Sequence, residues 1–282
     1  MTTLELTLSV PEPHQDLCIA LLSDLPFEGF VQEETTLKAY LRASDWRPDM
    51  AAQVEEILGG LGLPVAFALV EIAPQNWNAA WERTIQPLAV GRFLITPTWA
   101  AVPDAAGDHL RLIIDPKMSF GTGYHESTRL ALHLLPIVVR PGDQVLDAGT
   151  GTGILAIAAL KLGATTAVAF DIDEWAQVNA LENFALNGVS TQIKFRTGGL
   201  ETVSESGFDL ILANIQRNVL LEMLPVFAGK THLHSRVILA GLLQTDREVM
   251  LEAAAQAAFQ PIQEATEDNW WAVALQRQDK PG

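Results

Sequence analysis

Val145-Leu-Asp-Ala-Gly-Thr-Gly-Thr-Gly153 passes from a strand-like apolar stretch into a helical one through glycines at three alternating positions. In an open α/β sheet, the carboxyl end of such a strand, near the point where the strand order reverses, is where nucleotide-like ligands bind. The spacing narrows the ligand. A dinucleotide fingerprint needs its third glycine at the position held by Ile154, whereas here the glycines fall at 149, 151 and 153, with an acid, Asp147, two residues before the first. This suits a ligand without a pyrophosphate, whose ammonium group a carboxylate can meet. A glycine triplet alone is equally a tight turn, so a second residue has to weight the reading. Asp171 does so: it follows the next apolar run, 167–170, at the distance where an acid accepts two hydrogen bonds from a ribose diol. Asp173 is the better-placed N-cap for the helix that begins near Glu174, which leaves Asp171 for the ribose.

Outward from this motif, apolar runs at 144–146, 166–170, 192–196, 208–213 and 237–241 alternate with helical segments near 153–162, 174–187, 217–227 and 245–258. The alternation predicts a mainly parallel sheet with helices on both faces. Runs near 261–265 and at 272–276 break it as a terminal strand pair, and extended runs at 92–96 and 110–114 precede a glycine-bearing loop. Residues 76–84 place Trp77 and Trp81 one helical turn apart ahead of Pro87, which predicts a short connecting helix. Further upstream, residues 3–10 alternate Leu4, Leu6, Leu8 and Val10 on one face, the period-two mark of a half-buried strand. A helical stretch through Leu17, Ala20 and Leu21 follows, then extended runs at 29–32 and 36–41 split by Glu33-Glu34-Thr35. Pro48 opens a second helix, with Met50, Val54, Ile57, Leu58 and Leu61 as its apolar stripe, and a strand at 65–72 closes the series. Strand, helix, strand, strand, helix, strand is the split βαβ pattern of ferredoxin-like domains. The expected organisation is a small ferredoxin-like α+β domain over 1–72, a linker helix within 73–87, and a larger α/β domain over 88–282.

Of 282 residues, 49% are apolar and 18% charged, enough to build a real core and to exclude disorder as the dominant state. Apolar stretches such as 237–243 fall far short of the ~18 residues that cross a bilayer. Met1-Thr-Thr-Leu-Glu5 has no basic leader region, so a cytoplasmic location is expected, with no membrane partner. One cysteine, Cys18, cannot close an internal disulfide, and no Cys/His cluster suggests a metal. Net charge is −16, and residues 1–72 hold 12 acids against three bases, Lys38, Arg42 and Arg47. That excess is either a well-solvated surface or a docking face for a basic partner, and it speaks against direct nucleic-acid binding, which needs a basic face. A monomer is expected.

Asp147-Ala-Gly-Thr-Gly-Thr-Gly153 taken with Phe170-Asp-Ile-Asp173 resembles the S-adenosyl-L-methionine site of the seven-stranded Rossmann-like methyltransferases. Asp115-Pro-Lys-Met-Ser-Phe-Gly-Thr-Gly-Tyr-His-Glu-Ser-Thr128 resembles the cofactor-covering loop of the ribosomal protein methyltransferases that act on large-subunit protein eleven. Leu212-Ala-Asn-Ile215 matches the place where that family carries an asparagine at the end of its fourth motif strand. The resemblance continues through Leu239-Ala-Gly-Leu242 and Asn269-Trp270 and covers most of residues 76–275. Ser127 stands where the family usually has the first of two threonines, and Thr128 keeps the second. Ile215-Gln216 follows Asn214 in place of the Pro-Pro-Tyr of methyltransferases acting on planar amides and adenine amino groups, which argues against a flat, stacked acceptor.

The resemblance implies S-adenosyl-L-methionine as cofactor, with Asp171 on the ribose hydroxyls and the Gly149 and Gly151 backbones along the methionine portion. It further implies that Asp147 orients that portion, directly or through water, that Phe120 and Thr128 close over the cofactor, and that Asn214 faces the methyl group and orients the acceptor amine. Read without the resemblance, Asn214 is a strand-terminating turn residue. His125 is either a histidine bonded to its own turn or a proton acceptor. The family docks its substrate with a ferredoxin-like domain, so the implied activity is N-methylation of lysine and/or N-terminal amines of a basic large-subunit ribosomal protein. The alternatives are an RNA or small-molecule methyltransferase, because a cofactor core does not choose the acceptor, and a non-catalytic module that binds a ribosomal protein.

Overall fold

The computed structural model describes residues 2–72, 85–101, 107–117 and 119–279. The expected linker helix carrying Trp77 and Trp81 lies outside them. The chain divides into two compact units, 1–77 and 78–282.

In the first unit, β1 (Thr3–Ser9), α1 (Glu12–Leu22), β2 (Gly29–Gln32), β3 (Thr36–Arg42), α2 (Pro48–Gly60) and β4 (Phe67–Ile72) follow one another. The strands form an antiparallel sheet in the order β2-β3-β1-β4, the split βαβ arrangement. Alternation in β1 seats it: Leu6, Leu8 and the following Val10 are fully buried with Leu37, Ala39 and Leu41 of β3. Cys18 and Leu22 from α1 and Met50, Val54 and Leu58 from α2 close the same core. The strand expected from residue 65 begins at Phe67.

The second unit opens with a sheet of three short strands, β5 (Leu88–Val90), β6 (Phe93–Thr96) and β7 (Leu110–Ile113). β5 and β6 form a tight hairpin, and β7 runs parallel to β6. Then come α3 (Glu126–Val138), β8 (Gln144–Ala148), α4 (Ile154–Lys161), β9 (Thr166–Asp171), α5 (Glu174–Leu186) and β10 (Ile193–Thr197). They are followed by β11 (Phe208–Asn214), α6 (Arg217–Lys230), β12 (Thr231–Leu243), α7 (Arg247–Gln256), β13 (Phe259–Glu267) and β14 (Trp270–Arg277). The large sheet has the order β10-β9-β8-β11-β12-β14-β13. Five strands are parallel, and the expected terminal pair joins antiparallel, β14 inserting between β12 and β13.

Both faces of this sheet are buried, and successive residues of a strand go to opposite cores, as a period of two requires. Val145, Ala167, Ala169, Leu210, Leu212 and Ile238 pack on one side with α3, α4 and α5. Leu146, Ala148, Val168, Phe170, Ile211 and Leu239 pack on the other with Leu220, Leu224 and Phe227 of α6 and Met250 of α7. Two elements were not anticipated. The loop expected at 115–128 ends in the three-and-a-half-turn helix α3, whose buried stripe is Leu130, Leu134, Leu135 and Val138; Pro136 sits in its last turn, where it forgoes one bond to the preceding turn. β5 is only three residues long and was missed for that reason. Among the described residues, no helix is long and apolar enough to cross a membrane.

Candidate active site

β8 and β11 are neighbours in space although β9, β10 and their helices intervene in sequence, so the strand order reverses between them. At the carboxyl ends of β8, β9 and β11 lies a cavity of about 490 Å³. Phe120, Gly149, Gly151, Asp171 and Asn214 line it, with Ser119, His125, Ser127, Ile172, Ile215 and Trp270.

Phe170 O anchors the glycine loop by accepting from the amides of Gly149 and Thr150, each at 3.0 Å. Gly149 and Gly151 both have left-handed backbones, φ +67° and +53°. Their missing side chains make room for other parts of this chain: a Cβ on Gly151 would come within 2.3 Å of Phe120 O, and one on Gly149 within 2.5 Å of Ile215 Cγ2. The covering segment and the segment after β11 therefore both converge on the loop.

Three acids divide the work. Asp173 caps α5, its Oδ1 accepting from Trp175 N at 2.9 Å, as its position predicts. Asp171 lines the cavity; its Oδ2 accepts from Gly151 N at 2.8 Å and its Oδ1 from Asp173 N at 3.0 Å. Each oxygen keeps a second lone pair for a ligand. Asp147 is 1% exposed and lies behind the cavity wall. Its Oδ2 accepts from Thr150 Oγ1 at 2.6 Å and Ala156 N at 3.1 Å, tying the loop to α4. Burial pushes its carboxyl up to about 6, against the pull of those two bonds and with the help of nearby Asp171. Thr128 is likewise fully buried behind the wall, and its Oγ1 accepts from Asn214 Nδ2 at 3.3 Å.

That bond fixes the Asn214 amide. Its Oδ1 is buried and has no partner among the described residues, and the same holds for Ser119 Oγ. Buried polar atoms left unpaired are costly, and both of these residues line the cavity, where a polar ligand could satisfy them. His125 is the N-cap of α3: its Nδ1 accepts from Ser127 N at 3.2 Å and lies 2.9 Å from Ser127 Oγ, which puts the ring proton on Nε2. Of the two roles left open by the sequence, the ring's bond to its own turn is the one formed. The imidazole packs edge-on against Trp270 with centroids 4.5 Å apart, and against Phe120 at 5.1 Å. Arg129 holds this corner together, donating from Nε to Glu267 Oε1 at 2.9 Å, from Nη2 to the same oxygen at 2.6 Å, and from Nη1 to Tyr124 O.

Ile172, Gly199, Val219 and Met223 also line the cavity and were not singled out from sequence. Ile172 could have been, as the neighbour of Asp171; the others come from a turn after β10 and from α6, where no local pattern marks them. Among the described residues, no group of three or more His, Cys, Asp and Glu side chains is placed to hold a metal ion.

The strand order, the inserted antiparallel strand and a cavity at the order reversal define a Rossmann-like methyltransferase fold. The comparisons carry this to a family. A solved ribosomal protein L11 methylase from Lactobacillus delbrueckii subsp. bulgaricus superposes with a TM-score of 0.64 at 31% identity, covering 69% of this chain and 100% of that one. The family described as Ribosomal protein L11 methyltransferase (PrmA) matches residues 15–278, and this chain belongs to it. Relatives of that name from Chlorobaculum parvum and Porphyromonas gingivalis are 36% and 37% identical, over 97% and 95% of this chain and 96% and 92% of theirs.

Proposed function

We propose that this chain transfers methyl groups from S-adenosyl-L-methionine to lysine and/or N-terminal amines of a basic large-subunit ribosomal protein, with ribosomal protein L11 the acceptor that the names of its relatives point to. The observation that carries the reading is the buried, unpartnered Oδ1 of Asn214 at the end of β11, inside a cavity walled by Gly149, Gly151 and Asp171.

The residues present fit the cofactor. Asp171 has lone pairs for a ribose diol, the glycine loop offers backbone along the amino-acid portion, and Phe120 stands over the loop, accepting from Thr152 N at 2.9 Å. Asp147 acts on the bound ligand through the loop it holds, and Thr128 through the amide of Asn214. When bound, the cofactor supplies an electrophilic sulfonium methyl group whose leaving thioether needs no acid. What the chain must do is present a neutral amine in line. Asn214 Oδ1 accepts an N–H of that amine and so turns its lone pair toward the methyl group; proximity and orientation of this kind supply most of such an acceleration. The Nδ1 of His125 is taken by its own turn, so proton loss from the acceptor rests on the largely apolar wall, which disfavours the ammonium form.

Radiolabelled S-adenosyl-L-methionine incubated with separated ribosomal proteins tests the reading. Label on a single basic large-subunit protein is expected. Label on ribosomal RNA, or none on any protein, would overturn it.

A further inference from the structure

α5 presents three asparagines at one-turn spacing, Asn179, Asn183 and the C-capping Asn187, all almost fully buried. A helix face turned inward is ordinarily apolar, and three buried amides are tolerated only if they are bonded. Their bonds go to backbone. Ile113 N donates to Asn187 Oδ1 at 3.0 Å, and Asn187 Nδ2 returns a bond to Ile113 O at 2.7 Å. One turn earlier, Asp115 N donates to Asn183 Oδ1 at 3.0 Å, and Asn183 Nδ2 reaches Asp115 O at 3.4 Å. Asn179 Nδ2 adds a bond to Asp115 O at 2.6 Å.

This is strand pairing carried out by side chains. β7 uses one edge for β6, to which the next residue, Ile114, donates at Thr96 O, and its other edge meets α5. Residues 113 and 115 of an extended chain face the same way about 6.8 Å apart, and residues four apart on a helix lie about 6 Å apart along its axis. A carboxamide carries one donor group and one acceptor, as a peptide does, so Asn183 and Asn187 each stand in for a residue of a neighbouring strand, whereas Asn179 only donates and its Oδ1 has no partner among the described residues.

Asn183 does one thing that Asn187 does not. Its Nδ2 also donates to Thr152 O at 2.9 Å, inside the glycine loop. Thr152 in turn donates from N to Phe120 O and from Oγ1 to Gly121 O at 2.7 Å. One amide therefore registers the covering segment and the glycine loop against each other, from a helix that begins beside Asp171. We infer that Asn183 is a positioning residue for the cofactor cavity, whereas Asn187, with the same bonds to β7, serves the fold alone. The inference rests on the proposed use of that cavity for S-adenosyl-L-methionine.

The paired variants Asn183→Asp and Asn187→Asp separate the two roles. Each turns a donor into an oxygen facing the carbonyls it formerly satisfied, so both should lower the melting temperature. Calorimetric titration with S-adenosyl-L-methionine should show Kd raised about tenfold in Asn183→Asp and within about twofold of the parent in Asn187→Asp. The KM for cofactor should follow Kd in Asn183→Asp, with a smaller change in kcat at saturation. Equal affinity shifts in the two variants, or none in either, would overturn the inference. If Asn183→Asp does not fold, Asn183→Ala against Asn187→Ala carries the test, since each deletes the same pair of bonds to β7 and only the first also deletes the bond to Thr152 O; equal affinity shifts there overturn the inference too. A parent protein that does not bind S-adenosyl-L-methionine would overturn the functional reading beneath it.

Discussion

Asp171 and Asp173 carry the same side chain two residues apart, and backbone amides divide the work between them. Asp173 spends its oxygen on the first turn of α5, while Asp171, fixed by Gly151 N and Asp173 N, faces the cavity. Asp171→Asn keeps the size, removes the charge and replaces one acceptor by a donor. A charge-assisted hydrogen bond is worth ~1.5–3 kcal/mol, so affinity for S-adenosyl-L-methionine should fall by about tenfold or more in a protein that remains folded. Calorimetry decides this, and unchanged affinity would remove the ribose assignment. Asp147 behaves differently because it is buried. Its carboxyl titrates near 6 in the folded chain against an ordinary value of 3.8, so the folded state holds its proton more tightly than the unfolded one. The sign follows: Asp147 takes stability away as pH rises from about 4 to about 6, by roughly 3 kcal/mol in all, and adds no further change above that. Asp147→Asn has no such titration, and its carbonyl can still accept from Thr150 and Ala156. Relative to the parent, the variant should therefore gain stability as pH is raised from 4 to 7 in denaturant titrations. A difference that stays constant with pH would mean that Asp147 ionises normally.

At the scale of elements, the cavity is made where a loop, a covering segment and a strand end pack on one another. Gly151 is the contact between the first two. Gly151→Ala would force an L residue into a left-handed backbone, at ~1–2 kcal/mol, and drive a Cβ to 2.3 Å from a carbonyl oxygen that has no flexible side chain to move aside. The segment at Phe120 must shift, so cofactor affinity should fall together with the melting temperature; a variant that melted earlier yet bound normally would show that the contact serves only the fold. The glycines at 149, 151 and 153 were legible in the sequence as a loop at a strand's carboxyl end, but the neighbours that demand them, Ile215, Phe120 and Phe184, were not, because they come from distant parts of the chain. The same holds elsewhere. The mainly parallel sheet followed from alternating apolar runs, although its strand order did not, and the N-capping role of Asp173 followed from its offset to Glu174. The depth of Asp147 did not, since an acid beside a glycine loop looks the same in sequence whether it faces a ligand or holds the loop from behind. The asparagines of α5 read as polar interruptions of a weakly amphipathic helix until β7 is seen beside them. Pairing between a side chain and a strand edge leaves no periodic mark.

At the scale of the whole molecule, charge is the property that local structure does not use up. The three bases of residues 1–72 are each held by an acid: Lys38 by Glu33 at 2.7 Å, Arg42 by Glu28 at 2.6 Å and Arg47 by Asp49 at 3.4 Å. Every acid of that stretch except Glu5 is exposed, so the excess of nine negative charges is presented to solvent. Exposed ion pairs of this kind add little stability, and the uncompensated carboxylates weaken the fold slightly by repelling one another. What they can do is raise the encounter rate with a basic partner. If this unit receives the ribosomal protein, association should be fast at low salt and slow as the Debye length shrinks from ~10 Å at 0.1 M to ~8 Å at 0.15 M and below. Once the substrate is bound, turnover should respond far less, because the role proposed for Asn214, which is half-buried in the cavity wall, works over hydrogen-bond distances. Stopped-flow association with the acceptor protein, measured against salt alongside single-turnover methylation, separates the two. Replacing Glu33, Glu34, Glu55 and Glu56 by glutamine should flatten the salt dependence of association and leave cofactor affinity unchanged. An association rate indifferent to salt in the parent protein would return the acidic surface to the role of a solvated exterior and place substrate recognition elsewhere in the chain.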